Sequence, residues 1–376
     1  MGPLQGLKVV EFAGIGPAPM CAMLLADLGA TVLRIDRPVP ADVGIDKPLR
    51  YNLLLRSRPA ISVDLKHPEG VAFALELLAA ADICIEGFRP GTMERIGLGP
   101  DVCLAANPRL VYGRMTGWGQ RGPLAPTAGH DLNYIALSGA LHAIGRQGQP
   151  PTPPLNLVGD FGGGAMLMAF GLLAALHSAR AGGRGQVVDA AMLDGAALLM
   201  TSFFGLHAAG LHSDQRGSNV LDSGAPYYDV YECADGRWLG VAPIEGKFRR
   251  EFLQRLDLVH LEDADMDAFR RAVADRIRGR GRDEWQAVFE GSDACVSPVL
   301  SMGEAPAHPH NRAREVFVDV DGVTQPAPAP RFSATPTARP TPPRATDADL
   351  EGALQPWDCT SERLAQLRAL QVLRAA

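Results

Sequence analysis

The chain lacks any Cys-x-x-Cys pair. Its six cysteines, Cys21, Cys84, Cys103, Cys233, Cys295 and Cys359, are scattered. That excludes a zinc ribbon or a thioredoxin-type motif and leads us to expect reduced structural thiols. A basic stripe is also missing, and the net charge is -6. No nucleic-acid partner is expected. An anionic small molecule is still compatible, because phosphates need only a few local cations. The most apolar stretch, Gly164 to Leu176, is too short to cross a bilayer and is followed by His177, so it reads as a buried helix and no membrane partner is expected. The N-terminus has no basic region leading into an apolar one, and Gly6 stands where a myristoylation motif needs Ser or Thr. A cytoplasmic location is the expectation. There is no Gly-x-Ser-x-Gly, His-Glu-x-x-His or P-loop, which leaves the common hydrolase, zinc-protease and NTPase readings without support.

What is present suits a globular chain with two structural units. It has 376 residues, 47% of them hydrophobic and 21% charged. With 41 glycines and 30 prolines, many tight turns are expected. Lys8 to Phe12 reads as a strand, Ala18 to Leu28 as a helix and Thr31 to Ile35 as a second strand. That βαβ unit implies an α/β sheet covered on both sides. Further strands are expected at Ile61 to Leu65, Ile83 to Glu86, Leu110 to Met115 and Gly185 to Asp189, with a helix at Pro68 to Ala80. Residues 1–200 therefore read as a large domain and 201–224 as a linker. Residues 225–323 read as a smaller α+β domain with a hairpin turn at Asp235–Gly236. The stretch 324–344 holds seven prolines and reads as an extended linker.

Three groups of residues have the chemistry for a site. Gly14-Ile15-Gly16 lies between strand and helix, with Asp36 ending the second strand. This partly matches a dinucleotide fingerprint, but the third glycine is missing, so a tight βα turn explains it as well. Arg37, Lys66, Arg89 and Arg95 follow successive strands, where α/β sheets form their ligand crevice. Finally, His130 precedes a helical stretch and Asp160 precedes three glycines. A helix N-terminus favours the neutral imidazole a base needs, and bare amides near Asp160, Phe161 and Gly162 are candidates to stabilise an oxyanion. A structural histidine and a helix-capping aspartate are the competing readings.

At the level of motifs the chain resembles the family III CoA-transferases. The likeness rests on Gly6-Leu7-Lys8-Val9-Val10-Glu11-Phe12, Ala26-Asp27-Leu28-Gly29-Ala30, Asp64-Leu65-Lys66 and Glu86-Gly87-Phe88-Arg89-Pro90-Gly91. It continues through Gly117-Trp118-Gly119-Gln120, Gly185-Gln186-Val187-Val188-Asp189 and Ala225-Pro226-Tyr227-Tyr228. That family holds transferases, whose nucleophilic aspartate matches Asp160, and racemases of 2-methylacyl-CoA thioesters. The racemases carry a histidine and a glutamate that match His130 and Glu245. The resemblance therefore implies a racemase, with a CoA-transferase acting through Asp160 as the alternative. It further implies a Rossmann-like large domain completed by 331–376, and an interlocked homodimer in which Glu245 reaches His130 of the other chain. Acyl-CoA is the implied substrate, bound along Arg37, Lys66, Arg89 and Arg95, with no separate cofactor and no metal. An NAD-dependent oxidoreductase and a noncatalytic acyl-CoA binder are the readings from other classes.

Overall fold

The computed structural model describes residues 2–39, 44–262 and 264–373. It divides into two compact units, the first comprising Met1–Ser138, Leu155–Leu199 and Ala313–Ala376, the second Gly139–Pro154 and Met200–Arg312. The first unit begins with strand β1 (Lys8–Phe12), helix α1 (Pro17–Asp27), β2 (Thr31–Asp36) and β3 (Ala60–Ser62). It continues through α2 (Pro68–Ala79), β4 (Ile83–Glu86), α3 (Thr92–Ile96), α4 (Pro100–Ala106) and β5 (Val111–Thr116). Helix α5 (Asp131–Leu137), a π-helix over Leu157–Met166, α6 (Leu167–Gly182), β6 (Val187–Ala191) and α7 (Met192–Leu199) follow.

Every pairing in this sheet is parallel, and its order is β3-β2-β1-β4-β5-β6. Successive strand residues feed opposite cores. Val9, Ile83, Ile85 and Val111 join one apolar cluster with Cys21, Leu25, Met168 and Leu172 from α1 and α6. Val10, Cys84 and Tyr112 join another with Phe73, Leu77 and Leu78 from α2. Continuous apolar runs are thus buried on both faces, as a covered parallel sheet requires. Strand order reverses between β1 and β4, so the crevice beyond their carboxyl ends is the place where such sheets bind ligands.

The apolar stretch read as a short buried helix is longer than expected. Helix runs without a break over the 26 residues Leu157 to Gly182, and an 18-residue window within it has a mean hydropathy of 1.6, so it is long and apolar enough by composition to span a bilayer. Met168, Leu172, Ala175 and Leu176 pack it onto the sheet, while Phe170 is 71% exposed on its other side.

The second unit contains α8 (Thr201–Ala208) inside the stretch expected to be a linker. An antiparallel sheet follows, of β7 (Asp229–Glu232), β8 (Trp238–Val241) and β9 (Val296–Pro298). Helices α9 (Gly246–Leu256), α10 (Met266–Ile277) and α11 (Arg282–Phe289) supply its core, including Phe252, Phe269 and Trp285.

The chain then returns to the first unit. Strands β10 (Phe317–Val320) and β11 (Val323–Pro326) form a hairpin, so the proline-rich stretch begins inside a strand rather than as linker. Arg56 joins this hairpin to α1: its guanidinium donates to Asp27 and to the Gln325 side chain, all of it buried. Helices α12 (Leu350–Leu354) and α13 (Ser361–Ala369) bring Leu354, Leu364 and Leu367 onto the same core as α2.

Candidate active site

Loops from the carboxyl ends of β1, β4, β5 and β6 wall a cleft of about 1050 Å³. Gly14 to Pro19 comes from the first of these and Gly87 to Pro90 from the second, so the cleft sits at the reversal of strand order. His130 and Asp160 both line it, as does Arg89. Arg37, Lys66 and Arg95 are exposed and do not belong to its wall. Arg95 donates to the Thr92 hydroxyl at 3.0 Å. Asp36, the acid of the incomplete fingerprint, pairs with Arg34 at 2.6 Å and is likewise off the wall. Glu245 is exposed at the start of α9 in the second unit.

Asp160 lies in the first turn of the π-helix, not in a loop before a helix. Its N–H donates to the Asp131 carboxylate at 2.7 Å, and its own Oδ2 accepts from the Asn156 amide at 3.0 Å. Burial pushes its carboxyl up, opposed by the Asn156 amide, reinforced by Asp131 and opposed again by His130. Asp160 therefore holds its proton to higher pH than an ordinary aspartate, which suits a group that must both take and return a proton.

The glycines around Asp160 serve close approach. Gly16 has φ 66°, and the Asp160 carboxylate sits where its side chain would be, 3.1 Å from an added Cβ. A methyl on Gly195 of α7 would overlap the Gly163 carbonyl, and one on Gly164 would come within 3.0 Å of Pro17. The π-helix is thus wedged between α1 and α7.

This arrangement corrects the expected oxyanion site. The Phe161 N–H donates to the Asn156 carbonyl at 3.3 Å. Gly162 lies one position further into the same helix, where the i→i+5 pattern takes up its N–H. Helix formation starts at Leu157, ahead of all three glycines, so both amides are used inside it.

Several lining residues escaped sequence reasoning. Lys47 adds a second cation to the wall but lies in a segment without periodicity. Residues 40–43, just before Gly44, Ile45 and Lys47 of the wall, lie outside the described residues. Asn156 precedes Asp160 by four positions, a spacing that signals contact only once the helix is known to begin there. Trp118, read in the sequence only as part of the Gly117-Trp118-Gly119-Gln120 motif, and Tyr134, in the stretch after His130, line the cleft as an edge-to-face pair with centroids 4.8 Å apart. Ile15, Leu54, Phe88, Met115 and Met192 supply apolar wall beside the two titratable groups.

The signature of CoA-transferase family III matches residues 4–349. The α-methylacyl-CoA racemase of Mus musculus is 42% identical over 340 residues, covering 89% of this chain and 87% of that protein. The α-methylacyl-CoA racemase of Homo sapiens is 40% identical over 342 residues, with the same coverage. Among solved structures, a CAIB/BAIF family protein from Brucella suis superposes with a TM-score of 0.81 at 22% identity, over 95% of this chain and all of that one, and so shares its fold.

Proposed function

The chain belongs to CoA-transferase family III, and we propose that within it the protein is a racemase inverting the α-carbon of 2-methylacyl-CoA thioesters. The observation that carries this reading is the placement of His130 and Asp160 on one cleft at the sheet's switch point, in a chain so similar to two α-methylacyl-CoA racemases.

An α-proton next to a thioester carbonyl is weakly acidic, and inversion needs one base on each face of the α-carbon. Asp160 and His130 fill those roles: one removes the proton to give an enolate, and the other protonates the opposite face. General acid–base catalysis contributes about 10²–10⁴-fold per group. The apolar wall seats the acyl chain, while Arg89 and Lys47 face the anionic CoA portion. Arg37, Lys66 and Arg95 are left to meet the phosphates further out. CoA is part of the substrate, and the reaction as written needs no separate cofactor or metal.

The working protein on this reading is a cytoplasmic homodimer. The exposed Phe170, Met166 and Leu199 along the long helix and α7 supply an apolar surface for a second copy. Glu245 of one chain would then orient His130 of the other.

The test is proton exchange in deuterated water, starting from each enantiomer of a 2-methylacyl-CoA separately, with chiral analysis of the acid. Loss of the α-proton signal with convergence on an equal mixture supports the racemase. No exchange, together with CoA transfer to an added acid, would replace it by a transferase using Asp160 as nucleophile.

A further inference from the structure

We propose that Asn133 and Tyr134 are positioning residues for His130, holding the Gly129–His130 peptide by both of its hydrogen-bonding ends. The proposal rests on the reading of His130 as one of the two bases. The carbonyl of that peptide accepts from the Tyr134 hydroxyl. Its N–H, belonging to His130, donates to the Asn133 side-chain oxygen at 3.0 Å. Both partners sit on α5, whose Tyr134 and Ile135 are buried.

The need for such a clamp follows from the residues around it. His130 is exposed and is preceded by glycine, the residue with the widest backbone freedom. A change in ψ of Gly129 that φ of His130 does not cancel turns this peptide and redirects the histidine Cα–Cβ bond. Gly129 cannot be exchanged for a stiffer residue. A Cβ there would lie 2.8 Å from the Tyr134 ring and 3.0 Å from the Trp118 ring. Gly117 is similarly barred from a side chain because the Tyr134 ring fills its space. The ring seat that places the Tyr134 hydroxyl on the carbonyl thus demands the glycine whose freedom the hydroxyl then removes.

Tyr134 stays a hydrogen-bond donor throughout the working range. Burial pushes its phenol up to about 12, with Asp160 reinforcing and Arg89 opposing. The group acts through His130 and is not itself a proton carrier in the reaction.

The experiment uses the full chain and the variants Tyr134→Phe and Asn133→Ala. α-Proton exchange in deuterated water is followed from each enantiomer, with His130→Ala identifying the enantiomer that His130 serves. Each variant should slow exchange from that enantiomer about ten- to a hundred-fold, the scale of an ångström's misplacement, at unchanged KM. Exchange from the other enantiomer should stay within about twofold, because Asp160 still removes and returns its proton on one face. An equal loss from both enantiomers, or no loss from either, overturns the clamp. The His130 imidazole NMR signal separates this outcome from failure of the racemase reading. A signal unchanged in both variants overturns the clamp whatever the activity. An altered signal in a protein whose wild type exchanges neither enantiomer leaves the clamp standing and removes the racemase.

Discussion

His130 and Asp160 share a cleft but are held there by different means. His130 is an exposed ring on a loop, and the hydrogen bonds of its own peptide are what fix its approach. Asp160 is a half-buried carboxylate on a π-helix, set by backbone packing of that helix against α1 and α7 at Gly163, Gly164 and Gly195. The difference is one of emphasis: the exposed base is steadied by hydrogen bonds to its own peptide, while the helical one adds to its bonds with Asp131 and Asn156 a backbone packing at Gly163 and Gly195 that tolerates no added atom. Helices of π type are rare and are frequent at functional sites, which suits a segment whose register has to deliver one side chain.

The strongest break in the comparison is His130→Ala. Inversion should fall by about 10²–10⁴-fold while exchange from one enantiomer persists, read by α-proton NMR. Retained full inversion in both directions would remove His130 from the reaction. Next comes Gly195→Ala, which pushes on the Gly163 carbonyl. It should lower stability by about 1–3 kcal/mol, as overpacking does, and slow the exchange that depends on Asp160. Thermal unfolding and the same exchange measurement check both parts, and an unchanged Asp160 side would mean that packing does not set it.

A smaller effect is expected at the loop after β4, which is held in the polar manner of the His130 loop. Glu86 accepts from the Phe88 N–H at 2.7 Å and from Arg114 at 2.9 Å, next to Arg89. Arg89→Ala should raise KM about tenfold with little change in turnover, since it removes binding common to ground and transition states. Steady-state kinetics would exclude Arg89 from CoA contact if KM stayed constant.

The mildest prediction concerns pH. Burial pushes the Glu86 carboxyl up to about 7, against the Phe88 N–H and Arg114. The folded state then binds a proton more tightly than the unfolded one. The associated stability is fully present below the ordinary value of 4.5 and is lost as pH rises through 7. Glu86→Gln should flatten that decline in denaturant titrations between those limits, and an equally steep decline in the variant would assign it to another group.

Much of the scaffold was legible in advance. Apolar runs rich in β-branched residues, in Lys8–Phe12 and Ile83–Glu86, read as strands, and both faces of those strands are buried. The third strand proved shorter than expected, ending at Ser62: the Val63 N–H still donates to the Asp36 carbonyl of β2, Val63 bridges Leu373, and the Asp64 N–H turns away to the Val372 carbonyl. The glycines at 162–164 misled the placement of the helix start, since their low intrinsic propensity is overridden by packing that only glycine permits. Prolines after Thr324 likewise concealed the hairpin, because Pro326 occupies a strand end where no inward N–H is needed.

The sequence by itself determined the alternation of strands and helices, the absence of a basic face, and the identities of the histidine and aspartate that line the cleft. Those are properties of local pattern and side-chain type. Tertiary structure alone decided that β1 and β4 are neighbours at the switch point, that the π-helix begins at Leu157, and that Tyr134 fills the space left by Gly117 and Gly129. Each of these depends on which atoms meet in space rather than on which residues follow one another.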